Sequence, residues 1–369
     1  MGNIETYILT EGKKTLTEMA FNDVDNVVLS YLAYYDFRNI VPSSEHGGRI
    51  TVAEAAVRYA KIKETAQKDV TPSILKAAGE SKRFGNAWLS DYADVFLEGS
   101  CQFAAIRVTF ETGTEYLAFR GVEETELTAW TEAFRICYMI TPAQRLAAAW
   151  VSRLLRPESE SVLPGSTKNP EIFIGGHSKG GNLALYAACE CEPSAQNNIT
   201  RVYINDGPGL TPFLYGSANY MRLEGKIRRI VPGYSIVGCL FWHGAPDRIV
   251  NSSGKGIGQH NCDRWEVKGQ EFEDLPRMDS KSRKLALVLN RWITSASFEE
   301  RQSFTEDLFS ALRQKQNTGL SDPGALFSFL LRSYFNAARP SRKAVKKFFG
   351  AAYVTKVHAL LKRRRRRKF

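Results

Sequence analysis

The stretch from Glu171 to Ala188 constrains the fold more than any other part of the chain. It reads as a short apolar strand (Ile172-Phe173-Ile174), a glycine-rich turn around one serine, and a helix rich in alanine and leucine. Within it, Gly176-His177-Ser178-Lys179-Gly180 has the G-x-S-x-G spacing of a nucleophile elbow. A serine on so sharp a strand-to-helix turn takes a strained backbone conformation, and its hydroxyl stands out at the carboxyl end of the sheet. The flanking positions call for glycine because a Cβ there would collide with the neighbouring strand or helix. The following helix aims its first free N–H groups at the same place, where negative charge could develop. The competing reading is a glycine turn with an idle serine. The strand before the turn and the helix after it favour the elbow.

The rest of the chain divides into three regions. Residues 1–95 read as an interrupted helical N-terminal or cap region. Asn22-Asp23-Val24-Asp25 resembles an N-cap ahead of an apolar run, Thr51-Val52-Ala53-Glu54 looks like a capping box, and Thr71-Pro72 opens a short helix. From 96 to 300 strands alternate with helices. Besides the short apolar strand of the elbow, strands are expected over 102–110, 115–120, 201–205, 227–231 and 248–251, and helices over 128–140 and 141–155. A loop rich in Pro, Ser and Gly joins Arg156 to Pro170. This alternation predicts an α/β fold, a mostly parallel sheet with helices on both faces. From about 280 onward the chain is again helical, with helices expected over 281–295, 297–314, 322–336 and 341–361, and residues 301–369 are read as a helical extension ending in a polybasic block.

Composition narrows the class. A chain of 369 residues with 43% hydrophobic and 24% charged residues can bury a full core. The N-terminus lacks the basic-then-apolar pattern of a signal peptide, and no window approaches the ~20 apolar residues of a membrane span. Met1-Gly2-Asn3-Ile4-Glu5-Thr6 fits the myristoylation pattern, but so short a match arises often by chance. The six cysteines show no zinc spacing, and reduced thiols are expected. No metal site and no cofactor is expected, and the default location is the cytoplasm, with peripheral attachment to the inner membrane surface as an extension. Of the net charge of +11, seven positive charges sit in Lys362–Lys368, which leaves an ordinary surface elsewhere.

A nucleophilic serine needs a base and an acid. In α/β-hydrolases these follow in the order Ser, Asp or Glu, His, at the ends of successive strands. The chain has five histidines. His46 precedes the sheet region, His177 lies in the elbow itself and His358 in the tail. Between His243 and His260, the latter is favoured because it sits in a glycine-rich loop, Ser252 to Asn261, after the last expected strand. Asp206 directly follows the strand after the nucleophile helix and is the expected acid; Asp247 is the alternative. Asp206 could instead serve only to cap its Gly-Pro-Gly turn. The backbone N–H of Lys179 is one expected oxyanion donor. The N–H of Val122, after Phe119-Arg120-Gly121, is the other.

With these residues placed, the sequence resembles two related groups. Tyr116 to Gly121 with Trp130 downstream is similar to the F-R-G-T…D-W stretch of class-three (fungal-type) lipases. Closer is the resemblance to the Mbeg1-like family of bacterial α/β-hydrolases. It is carried by Phe21 to Asp25, Gly176 to Asn182, Asn205 to Gly209, Val231 to Gly238, and Gln259-His260 with Trp265. The resemblance covers about residues 15 to 275 and implies a lipase-like α/β-hydrolase fold and ester hydrolysis. Two departures stand out. Val122 replaces the hydroxyl residue of the lipase pattern, so only a backbone donor remains there. The lipase acid normally falls near Val231 to Val237, where this chain has no carboxylate, and the acid is therefore assigned to Asp206.

The tail adds a partner question. The segment 341–361 sets apolar residues against Lys343, Lys346, Lys347 and Lys356, and it runs into the arginine block. A basic amphipathic helix of this sort suits an anionic leaflet, at ~1 kcal/mol per cationic residue near the surface. Nucleic acid is the rival partner, and a solvated tail the plainest alternative. The expectation is a serine esterase cleaving an acyl ester or lipid substrate, with an anionic membrane surface as partner through 341–369. A catalytically silent binding protein of the same fold, or a nucleic-acid-associated one, is the alternative.

Overall fold

The computed structural model describes residues 2–62, 71–123, 126–156, 171–244 and 247–313. The loop expected up to Pro170, the helices expected over 322–336 and 341–361, His358 and the arginine block lie outside the described residues.

The chain opens with helices α1 (Ile4–Glu11) and α2 (Asp23–Leu32), then strand β1 (Ile50–Thr51), α3 (Val52–Lys61) and α4 (Pro72–Glu80). Strands β2 (Trp88–Leu97), β3 (Cys101–Thr109) and β4 (Glu115–Phe119) follow, then α5 (Leu127–Arg135) and α6 (Pro142–Leu154). The elbow segment is β5 (Ile172–His177) and α7 (Lys179–Glu190), followed by α8 (Pro193–Asn198) and β6 (Ile199–Asn205). Next come α9 (Pro212–Tyr215), α10 (Ala218–Leu223), β7 (Ile227–Pro232) and β8 (Asp247–Val250). A hairpin of β9 (Val267–Lys268) and β10 (Glu271–Phe272), then α11 (Ser280–Ser295) and α12 (Phe298–Arg313), complete the described chain.

Strands β1 to β8 form one sheet in strict sequence order. Its first three pairings are antiparallel and the four from β4 to β8 are parallel. The parallel half is buried on both faces, as its nearly continuous apolar strands require. Along β4, Tyr116 and Ala118 point into one core, and Leu117 and Phe119 into the other. On β6, Tyr203 faces the first core while Val202 and Ile204 face the second. The first core is closed by α1 to α4, the second mainly by α6 and α7. A third apolar cluster joins α5 to α11 and α12 through Ile136, Trp292, Phe304 and Phe309. No helix among the described residues is long and apolar enough to cross a membrane.

The fold class is therefore the mostly parallel α/β-hydrolase arrangement expected, helices on both faces included. The expected boundary at residue 95 falls inside β2, and the N-terminal helices are one of the two layers that cover the sheet. The physical reason is burial: without α2, the apolar face carrying Tyr116, Phe173 and Tyr203 would meet water. Local signals held at several helix starts. Asn22 and Asp25 form a capping box on α2, and Thr51 and Glu54 form one on α3. The helix expected to run to Ile140 ends at Arg135.

Candidate active site

Ser178 joins β5 to α7 with φ 57° and ψ −128°, a positive φ that a residue with a Cβ rarely adopts. The strain is held because the turn is fixed from both sides. The Ser178 N–H donates to the Asn205 carbonyl at 2.9 Å. On the other side Gly180 lies so close to β4 that a Cβ there would overlap the Phe119 carbonyl oxygen. Ser178 thus stands at the carboxyl end of β5, beside the end of β6, with 8% of its surface exposed.

Asp206 follows β6 directly, also at positive φ, and its N–H donates to the Ile230 carbonyl at 2.8 Å. Its carboxylate is buried and fully engaged. Oδ2 lies 2.6 Å from His260 Nδ1, and Oδ1 accepts from the Ser235 hydroxyl and from the Gly238 N–H at 3.2 Å. His260 stands in the loop after β8. That loop is pinned by Trp265 Nε1–H on the Gln259 carbonyl at 2.9 Å, and by the Tyr234 N–H on Gln259 Oε1 at 2.7 Å. With Nδ1 held by Asp206, the remaining nitrogen of His260 is Nε2. Among the described residues, neither His260 Nε2 nor Ser178 Oγ hydrogen-bonds to another group, each other included.

Ser178, Asp206 and His260 are thus brought to one end of the sheet. Gly121 lies at the same place: a Cβ there would sit 3.1 Å from Ser178 Cβ and 2.6 Å from the His177 carbonyl oxygen. Val122 follows it in the chain and is buried. Lys179 opens α7, where the first N–H groups have no intrahelical acceptor. Asp247 opens β8, at the amino-terminal end of a parallel strand, away from the carboxyl ends that carry Ser178 and Asp206. His243 packs against the buried Arg229 guanidinium; burial, and then that charge, push it down to about 3. His46 pairs with Ser43 at the surface, 2.7 Å from its hydroxyl.

Three neighbours escaped the sequence reading. The Lys179 side chain turns into the core behind the elbow, where its ammonium reaches the Gln102 carbonyl at 2.6 Å and Glu132 Oε2 at 3.0 Å. Burial pushes this ammonium down, and the Glu132 charge opposes the shift. A carboxylate on the buried face of α5, beside Ala129 and Thr128, was the signal available for it. Ser235 lies in the very segment where the lipase pattern has its acid; here that loop supplies a hydroxyl to Asp206 in place of a carboxylate. Finally, His177 contacts both Tyr34 and the His260 main chain. Nothing in the sequence pairs it with Tyr34.

Strand order, the strained elbow serine and the residues gathered beside it define an α/β-hydrolase fold. The chain belongs to the Mbeg1-like family, whose model matches residues 78–310. Among solved structures it is similar to a fungal lipase–inhibitor complex described as a model for interfacial activation. Identity there is 15%, over 61% of this chain and 79% of that one, with a TM-score of 0.35. The Rhizomucor miehei lipase–propeptide complex matches at 15% over 61% and 67%, with a TM-score of 0.36. The lipase from Rhizopus microsporus var. chinensis matches at 14% over 65% and 86%, with a TM-score of 0.35. No curated protein sequence matches the chain.

Proposed function

We propose that the protein is a serine esterase that cleaves an acyl ester through an acyl-enzyme on Ser178. The observation that carries the reading is the pairing of His260 with the buried Asp206 beside a serine held at positive φ. Ser178 Oγ attacks the ester carbonyl while His260 Nε2 takes its proton. Asp206 keeps the proton of His260 on Nδ1 and stabilises the imidazolium. The tetrahedral oxyanion is met by the N–H groups of Lys179 and Val122. Collapse expels the alcohol, which leaves with the proton from Nε2. Water then repeats the sequence on the acyl-enzyme, giving the carboxylic acid and restoring the hydroxyl. A serine and an imidazole that are not hydrogen-bonded to each other fit such a cycle, because catalytic hydrogen bonds tighten on substrate binding.

The substrate class in this reading is an acyl or lipid ester met at an anionic membrane surface, which the segment 341–369 would attract from the cytoplasmic side. A fluorophosphonate probe tests the chemistry. The wild type is expected to be labelled and Ser178→Ala to remain unlabelled; equal labelling of the two removes Ser178 as nucleophile. A panel of p-nitrophenyl esters of graded chain length then reads the acyl preference. Flotation with anionic vesicles, with and without residues 341–369, tests the surface; binding that survives the deletion dismisses the tail as its cause.

A further inference from the structure

We propose that His177, oriented by Tyr34, is a positioning residue that holds the main chain of His260 at the nucleophile; the proposal rests on the esterase reading above. His177 is buried and its ring lies 4.6 Å from that of His260, centroid to centroid. His177 Nε2 stands 2.7 Å from the His260 carbonyl oxygen. A carbonyl only accepts, so Nε2 carries the hydrogen. Burial, and then the neighbouring His260, hold His177 well below the ordinary histidine range, so the ring is neutral and Nδ1 is bare. Tyr34 therefore donates its hydroxyl hydrogen to Nδ1, at 2.8 Å.

The chain of contacts begins on a rigid layer. Tyr34 follows α2, which is tied to the sheet by Asn26 with Asn205 at 2.8 Å and by Ser30 with Tyr116 at 2.7 Å. From that layer the restraint passes through Tyr34 and His177 to the loop that carries His260. The same loop is held beside His260 at Gln259, by Trp265 and Tyr234, and at its base by Ser252 and Ser253 on the Arg264 carbonyl. His260 is thus fixed twice, its ring by Asp206 and its backbone by His177. The tautomer has a second consequence. Tyr34 Oη lies beside Gly121 at the nucleophile, but its one hydrogen is committed to His177, so it is not an oxyanion donor.

The full-length protein carries the test, with variants chosen by reach. His177→Gln puts an amide N–H where Nε2 stood. His177→Asn reaches only the Nδ1 position, keeping Tyr34 and losing the His260 carbonyl. Expected is a fluorophosphonate labelling rate ~50-fold lower in His177→Asn, within ~5-fold of wild type in His177→Gln, and ~3- to 10-fold lower in Tyr34→Phe. For a short p-nitrophenyl ester the loss falls on kcat with KM unchanged. The downfield proton resonance of His260 Nδ1–H, read by NMR, should broaden or shift in His177→Asn and return in His177→Gln. Equal rates in the Asn and Gln variants, or a ~100-fold loss in Tyr34→Phe alone, overturn the proposal. The resonance reports on His260 whether or not Ser178 reacts. Failure of wild-type labelling therefore counts against the esterase reading, and an unmoved resonance in His177→Asn counts against the positioning role.

Discussion

Asp206 Oδ2 stands 2.6 Å from His260 Nδ1, while the other carboxylate oxygen is taken up by Ser235 and Gly238. An acid gripped on both oxygens fixes the imidazole in one tautomer and one orientation, which is what proton transfer from a serine needs. Asp206→Asn keeps the size, and asparagine tolerates the positive φ at this position. Its amide can donate to the ring but cannot demand the Nδ1–H tautomer. In the serine-esterase reading proposed above, activity is expected to fall ~10³- to 10⁴-fold with the fold retained. Ser235→Ala, which leaves Gly238 in place, should cost only ~10- to 100-fold, about one hydrogen bond to a charged group. A Ser235→Ala enzyme as damaged as Asp206→Asn would mean that the loop, not the acid, is what the site depends on. Rates on a short ester with circular dichroism as the folding control decide it.

Gly121 offers a second test, because its lack of a side chain is what lets β4 approach the elbow. An alanine Cβ would overlap Tyr34 Oη and press to 2.6 Å from the His177 carbonyl oxygen. The tyrosine can swing only by abandoning His177, and the carbonyl belongs to the strained turn itself. Gly121→Ala is therefore expected to lower activity by at least ~100-fold, since an ~1 Å displacement of the nucleophile is enough for that. Stability should fall by ~1–3 kcal/mol, the usual cost of overpacking. Activity close to wild type would show that the loop around Val122 has room to spare.

How much of this could be read from residues alone follows from where the information sits. The elbow was legible because strand, turn and helix lie within one short segment and glycine marks where backbone must approach backbone. The chain positions of Asp206 and His260 could be reasoned from strand ends. Capping boxes at Asn22 and Thr51 were visible for the same local reason. Strand β2 was not: Asp91 and Asp94 interrupt its apolar pattern, and each finds a cation only in three dimensions, Arg107 or Arg120 among them. The role of the N-terminal helices was hidden likewise. Asn26, Ser30 and Asn205 are polar residues that look exposed in sequence, yet all three are buried and satisfy one another between α2 and the sheet. Such pairings depend on distant chain segments, and no periodicity reports them.

The buried pair Lys179–Glu132 lies directly behind the elbow, with side chains 1% and 0% exposed. Glu132 also accepts from the Gln102 N–H at 3.1 Å and from the Ala143 N–H at 2.9 Å, so it joins β3, α6 and α7. Removing one charge leaves the other without a counter-charge in a low-dielectric place. Glu132→Gln is expected to lower stability by ~3–5 kcal/mol, whereas Lys179→Met with Glu132→Leu should recover much of it, because apolar groups need no partner. Urea denaturation followed by tryptophan fluorescence gives both numbers. A double variant no more stable than Glu132→Gln would mean that the backbone N–H groups capped by Glu132 matter more than the ion pair.

Acid should unfold the protein through its buried histidines before its carboxylates titrate. His243, pushed down to about 3 by burial and by the Arg229 charge, and His177, held below its ordinary range by burial, are neutral in the folded protein. In the unfolded chain both bind a proton near pH ~6.5. Their stabilising contribution is therefore complete above that value and shrinks as pH falls through it toward the folded-state values. Between pH ~6.5 and ~4.5 His243 takes away up to ~1.4 kcal/mol per pH unit, and His177 adds a loss of the same sign. Below that window Asp23, lowered by Arg228 and Arg248 against the opposing cost of its burial, adds a loss of the same sign. Asp263, raised by burial, works the other way. Replacing His243 by Gln keeps an acceptor for Arg229 and removes the titration, so the slope of stability against pH should become shallower by about one proton. Urea midpoints at pH 7, 6 and 5 measure it; parallel curves for wild type and His243→Gln would show that His243 gains its proton as easily in the folded protein as in the unfolded chain.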